Sequence, residues 1–398
     1  QVEIDRARAL VKEAFSEALP KVDFNSTYTR NWALPVFTFG GQKFKAGTDN
    51  VINLGVGLSQ TIYRGGRVGA GLKIARYFQE ISKKNTDHIR AAVVLTVHKS
   101  YYEVLRAEAI LEVAQAAYRR AVAQHEGVTQ FYEAGTVSNY DLLRSKVEVT
   151  NAHPAVTQAR NHLAISSANL KRFIGLPQTV KIRYIGDLEV QEPAMPTDIA
   201  SAIRKALANR SDLKAAKLKT VMDEAAIRLA HSKNGPDISL SAGYQMQAQV
   251  NDSRFKSLAL GDFSRSWNTL LNVSYPVFDG RQNSGQIMQA QADFEKSRYS
   301  ESQLKKQIEV DVTIAMLNIT EATERVDAGA EAVELASRGL AIVKLQYEGG
   351  ISTQLELIDA QLTLKRAQTD QVTAKYDYIT AVAVLQNVLG GSHAQDKD

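Results

Sequence analysis

Four stretches of the chain alternate apolar and polar side chains with the period of a β-strand. In residues 52–63, Ile52, Leu54, Val56, Leu58 and Ile62 fall on one face, and Asn53, Gly55, Gly57, Ser59 and Thr61 on the other. Trp267, Leu271, Val273, Tyr275 and Val277 are likewise opposed to Asn268, Asn272 and Ser274. A partner stretch precedes each: 21–32, with Val22, Phe24, Tyr28 and Trp32 on one side, and 237–249, with Ile238, Leu240, Ala242, Tyr244 and Met246. All have about the length of a tilted strand that crosses a bilayer. Aromatic residues gather near the ends (Tyr28, Trp32, Tyr63, Trp267, Tyr275, Phe278), as in an interfacial girdle. The segments between partners, 35–50 and 250–265, are polar and Gly-rich and read as solvent-facing loops.

Beyond the strands the period changes to that of a helix. From Arg67 to Tyr132 there is no proline and no strong break, and 282–347 repeats this. Each run would be roughly 100 Å long at about 1.5 Å per residue. That exceeds the diameter of a single domain and predicts a coiled-coil or tunnel wall. Leu105, Ala109, Leu111, Ala114, Ala116 and Ala117 recur at helical spacings that allow close approach. The runs end in Ala134-Gly135-Thr136-Val137-Ser138 and Gly349-Gly350-Ile351-Ser352-Thr353. There a glycine ends one helix and a Ser or Thr caps the next. Return helices follow at 139–173 and 354–388, each roughly 50 Å. Residues 1–19 and 200–233 supply the other short helices, and 174–199 read as a small mixed belt punctuated by proline.

These elements are one unit written twice. Tyr132-Glu133-Ala134-Gly135 recurs as Tyr347-Glu348-Gly349-Gly350, 215 residues later. Ser59 to Gly65 aligns with Ser274 to Gly280 at the same offset, and Arg172-Phe173-Ile174-Gly175 with Asn387-Val388-Leu389-Gly390. Before the first strand the offset is 216, with Pro20 against Pro236 and Tyr28 against Tyr244. The division is a first repeat at 1–175, a linker region at 176–199, a second repeat at 200–390 and a tail at 391–398. By repeat logic the first unit begins about 20 residues before Gln1.

Composition narrows the reading. With no cysteine, a disulfide scaffold, a thiolate metal site and a cysteine nucleophile are excluded. The 48 basic and 43 acidic residues are interspersed, which suits a solvated helix surface and not a nucleic-acid footprint. No stretch reaches the roughly 18 apolar residues of a transmembrane helix, so any bilayer contact falls to the strands. A soluble sandwich would also alternate, but helices this long leave it no core. Four strands cannot close a membrane barrel, which needs about eight, and lipid does not tolerate open edges. Strands from several chains must therefore share one barrel.

No site for chemistry emerges. The cluster Gly65-Gly66-Arg67-Val68-Gly69-Ala70-Gly71 lacks the Lys-Ser/Thr of a phosphate loop and follows a strand patterned for lipid. The seven histidines are scattered, without metal-ligand spacing, and no catalytic triad can be argued. The expectation is a protein that is no enzyme and needs no cofactor or metal.

Together these features resemble the TolC-type outer-membrane efflux and secretion channels of Gram-negative bacteria. The resemblance covers essentially the whole chain. It rests on Tyr275-Pro276-Val277-Phe278-Asp279-Gly280-Arg281 and on the two tip motifs. It implies a mainly α fold with membrane β, a trimeric α/β-barrel in which each protomer gives four strands to a twelve-stranded barrel continued by a periplasmic helical tunnel. It also implies a passive exit duct, opened by untwisting of its helix tips, that works with a periplasmic adaptor and an inner-membrane RND pump or ABC exporter. Outer-membrane lipid surrounds such a barrel, and nucleic acid is no partner.

In this family two acidic residues three apart ring the tunnel entrance, and here they match Glu356 and Asp359. Both also suit an ordinary first helical turn. The family's latch among a tip Tyr, an Arg and a first-repeat Asp matches Tyr347 and Asp141, while Ser352 stands at the Arg position. The tips, Gly135, Thr136, Val137 and Ser138 with Gly350, Ile351 and Thr353, are the expected docking points for the adaptor. The competing readings are the adaptor itself, which normally lacks duplicated lipid-patterned strands, and a soluble coiled-coil scaffold.

Overall fold

The computed structural model describes residues 2–190, 196, 198–251 and 258–391. Part of the 176–199 linker, part of the 250–265 loop and almost all of the tail at 391–398 lie outside the described residues. Two compact units divide the chain, 1–86 with 214–302 and 87–213 with 303–398.

The first unit is built on a four-stranded antiparallel sheet ordered β1 (Lys21–Arg30), β4 (Asn50–Arg64), β5 (Asp237–Val250), β6 (Ser264–Ser274). Register explains the alternation of the sequence. Phe24, Val56, Tyr244 and Trp267 follow one another across the sheet, as do Val22, Leu58 and Ala242. This face is apolar, and its large side chains on the edge strands are bare: Phe24 is 70% exposed and Trp267 83%. The opposite face carries Asn25, Gly55 and Gln245, then Asp23, Gly57, Gly243 and Asn268. A Cβ on Gly55 would collide with Asn25 Oδ1, and one on Gly243 would stand 2.6 Å from Asn268 Oδ1. The glycines make room for amide side chains laid over the strands. β1 and β6 are the unpaired edges.

The structure corrects the sequence expectations for this unit in three places. A register shift between Thr61 and Tyr63 pairs Tyr63 with Ile238, which removes Ile62 from the regular alternation. The last strand ends at Ser274, short of 278, because Pro276 has no N–H for the ladder. The expected loop 35–50 contains a hairpin, β2 (Val36–Phe39) and β3 (Gln42–Lys45), turned by Gly40 and Gly41 with φ of +59° and +82°. In the second repeat the helical run breaks at Arg210 (ψ 125°), giving α4 (Ile199–Asn209) and α5 (Ser211–His231).

α1 (Val2–Ser16) and α5 lead into β1 and β5. Arg64 at the end of β4 bonds Glu17 at 3.0 Å and Asp237 at 3.2 Å, so one guanidinium ties the start of β5 to the end of the α1 segment. Lys21 and then Arg64 hold the Glu17 carboxyl below its usual range.

The long helices are α2 (Arg67–Glu133) and α6 (Gln282–Glu348), each 67 residues without interruption. α3 (Asn139–Phe173) and α7 (Gln354–Val388) return, each of 35 residues. Within the second unit their packing gives three apolar clusters. The largest joins Ala202, Ala206, Leu213, Ile308, Val312, Ala315, Leu385 and Leu389. Leu105, Leu188, Ala322, Tyr378 and Ile379 form the next, and Ala114, Val156 and Ala159 a third. Of the residues expected to let helices approach, Leu105 and Ala109 belong to the second cluster and Leu111 and Ala114 to the third. Where a mixed belt was expected, residues 176–190 carry neither helix nor strand. Tyr101 Oη donates to the Ile185 carbonyl at 2.5 Å, and the Ser167 and Tyr184 hydroxyls bond at 2.5 Å. Aromatic hydroxyls therefore tie down a segment with no ladder of its own.

Candidate gate at the two helix tips

The two tips have the same backbone. At the first, Gly135 adopts φ +74° and its N–H donates to Tyr132 O at 2.9 Å, while Thr136 N–H reaches Phe131 O at 2.9 Å. At the second, Gly350 adopts φ +72° and its N–H donates to Tyr347 O at 3.1 Å, while Ile351 N–H reaches Gln346 O at 2.8 Å. This pair of bonds to the last carbonyls is a Schellman turn, and only glycine takes that φ without a steric cost. Each return helix then opens with a capping box. Asp141 N–H donates to Ser138 Oγ at 3.2 Å, and Ser138 N–H to Asp141 Oδ2 at 3.2 Å. Glu356 N–H donates to Thr353 Oγ1 at 3.3 Å, and Thr353 N–H to Glu356 Oε2 at 2.8 Å. Val137, between turn and cap, belongs to the same short connection.

One acid of each box thus satisfies the first turn of its helix. Glu356 is exposed, and Ser352 Oγ adds a further bond to Oε2 at 2.5 Å. The Ser352 hydroxyl, followed by the Thr353 backbone N–H and hydroxyl, holds the Glu356 carboxyl below its usual range. Ser352 is therefore engaged by the acidic residue of its own tip. Asp359 lies one turn further along the same helix, also at an exposed position.

Tyr347 and Asp141 do come together across the two tips. Burial, then the Asp141 charge, push the Tyr347 hydroxyl above the usual phenol range, opposed by a hydrogen bond with the Gln124 side chain. Gln354 Nε2 donates to the Asp141 carbonyl at 3.2 Å from a buried position. Gln124 and Gln354 carry no motif in the sequence, and only the helix packing brings them to this pair. His125 and Ser145 add a contact of 2.8 Å between α2 and α3. Among the described residues no group of His, Asp and Glu could hold a metal ion.

Known proteins match the chain along almost its whole length. The profile of one family, described as outer membrane efflux protein, covers residues 1–176 and 202–391. The chain belongs to that outer membrane efflux protein family.

Outer membrane protein TolC of Escherichia coli is 22% identical over 399 residues, 98% of this chain and 78% of TolC. The alkaline protease secretion protein AprF of Pseudomonas aeruginosa is 22% identical over 305 residues, 75% of this chain and 61% of AprF. The crystal structure of the Campylobacter jejuni CmeC outer membrane channel superposes with a TM-score of 0.85 at 18% identity, covering 100% of this chain and 83% of CmeC. That likeness establishes the fold. As an outer membrane efflux protein, the chain is a transport protein of the outer membrane with a periplasmic extension, an exit duct for efflux. No described helix is long and apolar enough to cross a membrane.

Proposed function

We propose that three copies of the chain close one twelve-stranded barrel, and that their tips form a periplasmic gate opened by untwisting. The observation that carries this reading is the sheet itself, four strands with one apolar face and two unpaired edges. Such edges must be paired in lipid, and other copies supply the missing partners. Glu356 and Asp359 from three copies would ring the entrance with carboxylates and favour cations. Glu356 suits this role although it caps its helix, because its bonds keep it ionised to lower pH than an ordinary glutamate. Asp141 and Tyr347, with Gln124 and Gln354 beside them, form the latch, and Ser352 acts through Glu356.

The exposed tip residues, with Ile351 81% exposed, are the docking surface for a periplasmic adaptor. Through that adaptor the duct receives cargo from an inner-membrane RND pump or ABC exporter. Planar-bilayer recordings test the gate. Wild-type channels should be cation-selective and blocked by multivalent cations from the periplasmic side, and Glu356→Gln with Asp359→Asn should lose both properties. Unchanged selectivity in the double variant would remove the ring. Tyr347→Phe and Asp141→Asn should each raise the closed-state conductance, and no change in either would remove the latch.

A further inference from the structure

The outer end of the sheet carries a feature that neither the duct nor the gate uses. α1 leads into β1 and β4 leads into α2, so the connection from Asn31 to Asp49 lies at the end of the β1–β4 ribbon away from the helices. The helices are the periplasmic extension, which puts this connection at the cell exterior. It folds into the hairpin of β2 and β3, a two-stranded sheet separate from the main one.

Opposed residues of an antiparallel pair share a face, and successive residues alternate. Phe37 is paired with Phe44 and Phe39 with Gln42, while Val36 is paired with Lys45 and Thr38 with Lys43. One face of the hairpin therefore holds three phenylalanines and the other two lysines. The rings are bare: Phe37 is 60% exposed, Phe39 83% and Phe44 52%. Neither lysine has a hydrogen-bond or ion-pair partner among the described residues, and the hairpin contains no acid.

Two strands of four residues with both faces in water are marginal by themselves, so the rings call for a cover. The bare apolar face of the sheet runs up to the base of the hairpin. Val22, Phe24 and Tyr28 lie along β1, and Trp32 follows, 88% exposed, with Arg30 stacked over its ring at 5.1 Å. With the sheet in lipid as proposed above, the hairpin stands where the acyl chains of the outer leaflet end and its phosphates begin. A hairpin from a neighbouring copy would bring only like charges together and leave the lysines without counter-charge. We propose that the hairpin docks on the outer-leaflet surface, with Phe37, Phe39 and Phe44 set among acyl chains and Lys43 and Lys45 on the phosphates of a phosphorylated glycolipid. Amphipathic elements that lie in a membrane interface divide aromatic and basic residues between two faces in this way.

Residues 1–398 hold no cysteine, so one thiol carrying an environment-sensitive dye reports each face. Gln42→Cys marks the aromatic face and Thr38→Cys the lysine face, and neither removes a phenylalanine or a lysine. In the folded channel reconstituted with phosphatidylcholine and lipid A, the dye at position 42 should shift to the blue and be quenched by brominated acyl chains. The dye at position 38 should stay open to aqueous iodide. Lys43→Gln with Lys45→Gln should raise the lipid A content needed for the shift about tenfold or more, given an attraction of roughly fivefold per basic residue at an anionic surface. A dye at Val22→Cys, on the bare face of β1, should be quenched with or without lipid A, which separates a failure of the hairpin from a failure of the sheet's placement. Equal iodide access at positions 38 and 42 would overturn the proposal. So would a blue shift at position 42 that brominated lipid does not quench, since a protein surface would then cover the rings. An unchanged lipid A dependence in the lysine variant would overturn the phosphate contact.

Discussion

The first tip and the second tip share the backbone bonds of the Schellman turn and differ in the side chains around it. Both have the positive-φ glycine, the Schellman bonds and a reciprocal capping box. One helical turn later the first tip carries Arg144 and the second Asp359. A turn between two helices of fixed length leaves little freedom to the cap, whereas the next position along the return helix is free to vary. The same contrast recurs at the other end of α3 and α7, where one scaffold is covered and its copy is open. Duplication sets the frame, and the local differences give each half its own task.

The contrast breaks most visibly at that end. Ile308, clustered with Ala202 and Ala206 of α4, is fully buried, and Val93, its counterpart 215 residues earlier, is 52% exposed. Ile308→Ala should therefore cost about 2–5 kcal/mol, whereas Val93→Ala should cost less than about 1 kcal/mol. Thermal unfolding of the two variants in one detergent measures the gap, and equal losses would show that the two sites are equivalent after all.

Arg210 sharpens the comparison at the next level. It bonds Asp212 at 2.7 Å and Asp311 at 2.9 Å, while the first-half counterpart of Asp311 is Thr96. The arginine side chain is largely shielded but still touches solvent, so Arg210→Ala should cost about 1–3 kcal/mol, between an exposed and a fully buried pair. Burial raises the Asp212 carboxyl, but the bonds from Arg210 and the Leu213 N–H outweigh it and lower the pKa overall. The Asp212 contribution is therefore present above its unfolded pKa and is lost as pH falls through the lower native value. Acid unfolding below the usual carboxylate range should become less steep in Arg210→Ala. An unchanged acid limb would mean that the pair contributes nothing.

The caps provide the test of sameness. Ser138→Ala and Thr353→Ala should each destabilise their tip by about 0.5–2 kcal/mol, with similar loss of amide-exchange protection in the first turns of α3 and α7. A large inequality would mean that one box is held by something other than its own bonds. The smallest expected effect is electrostatic. Arg144→Gln should change ion selectivity less than Asp359→Asn in bilayer recordings, since the proposed ring draws on the second tip alone.

Much of this architecture is legible in the chain because its markers are local. A tyrosine with a glycine three residues later at each tip, and Ser138 or Thr353 three residues before an acid, give the tips away without any tertiary information. The alternation from Ile52 to Leu58 does the same for the sheet. The hairpin at 36–45 is hidden because Phe37, Phe39 and Phe44 sit in strands of only four residues, around two glycines that suggest a loop. The bulge at Ile62 depends on pairing with β5, which lies more than 170 residues away in the chain. Gln124 and Gln354 join the Tyr347–Asp141 pair through packing of separate helices, and no spacing in the sequence records that. The covered and open copies at the far ends of α3 and α7 are the clearest case. Val93, Val97 and Ile174 look as apolar as Ile308, Val312 and Leu389, and only the structure tells which set is covered.

The central claim is that β1 and β6 are edges completed by other copies of the chain. Because residues 1–398 contain no cysteine, single thiols can be walked along Lys21–Arg30 and Ser264–Ser274 in pairs and oxidised in the membrane. The account predicts one register in which pairs give covalent dimers and closed trimers on denaturing gels. Crosslinks confined to a single chain, or no register that links copies, would contradict it.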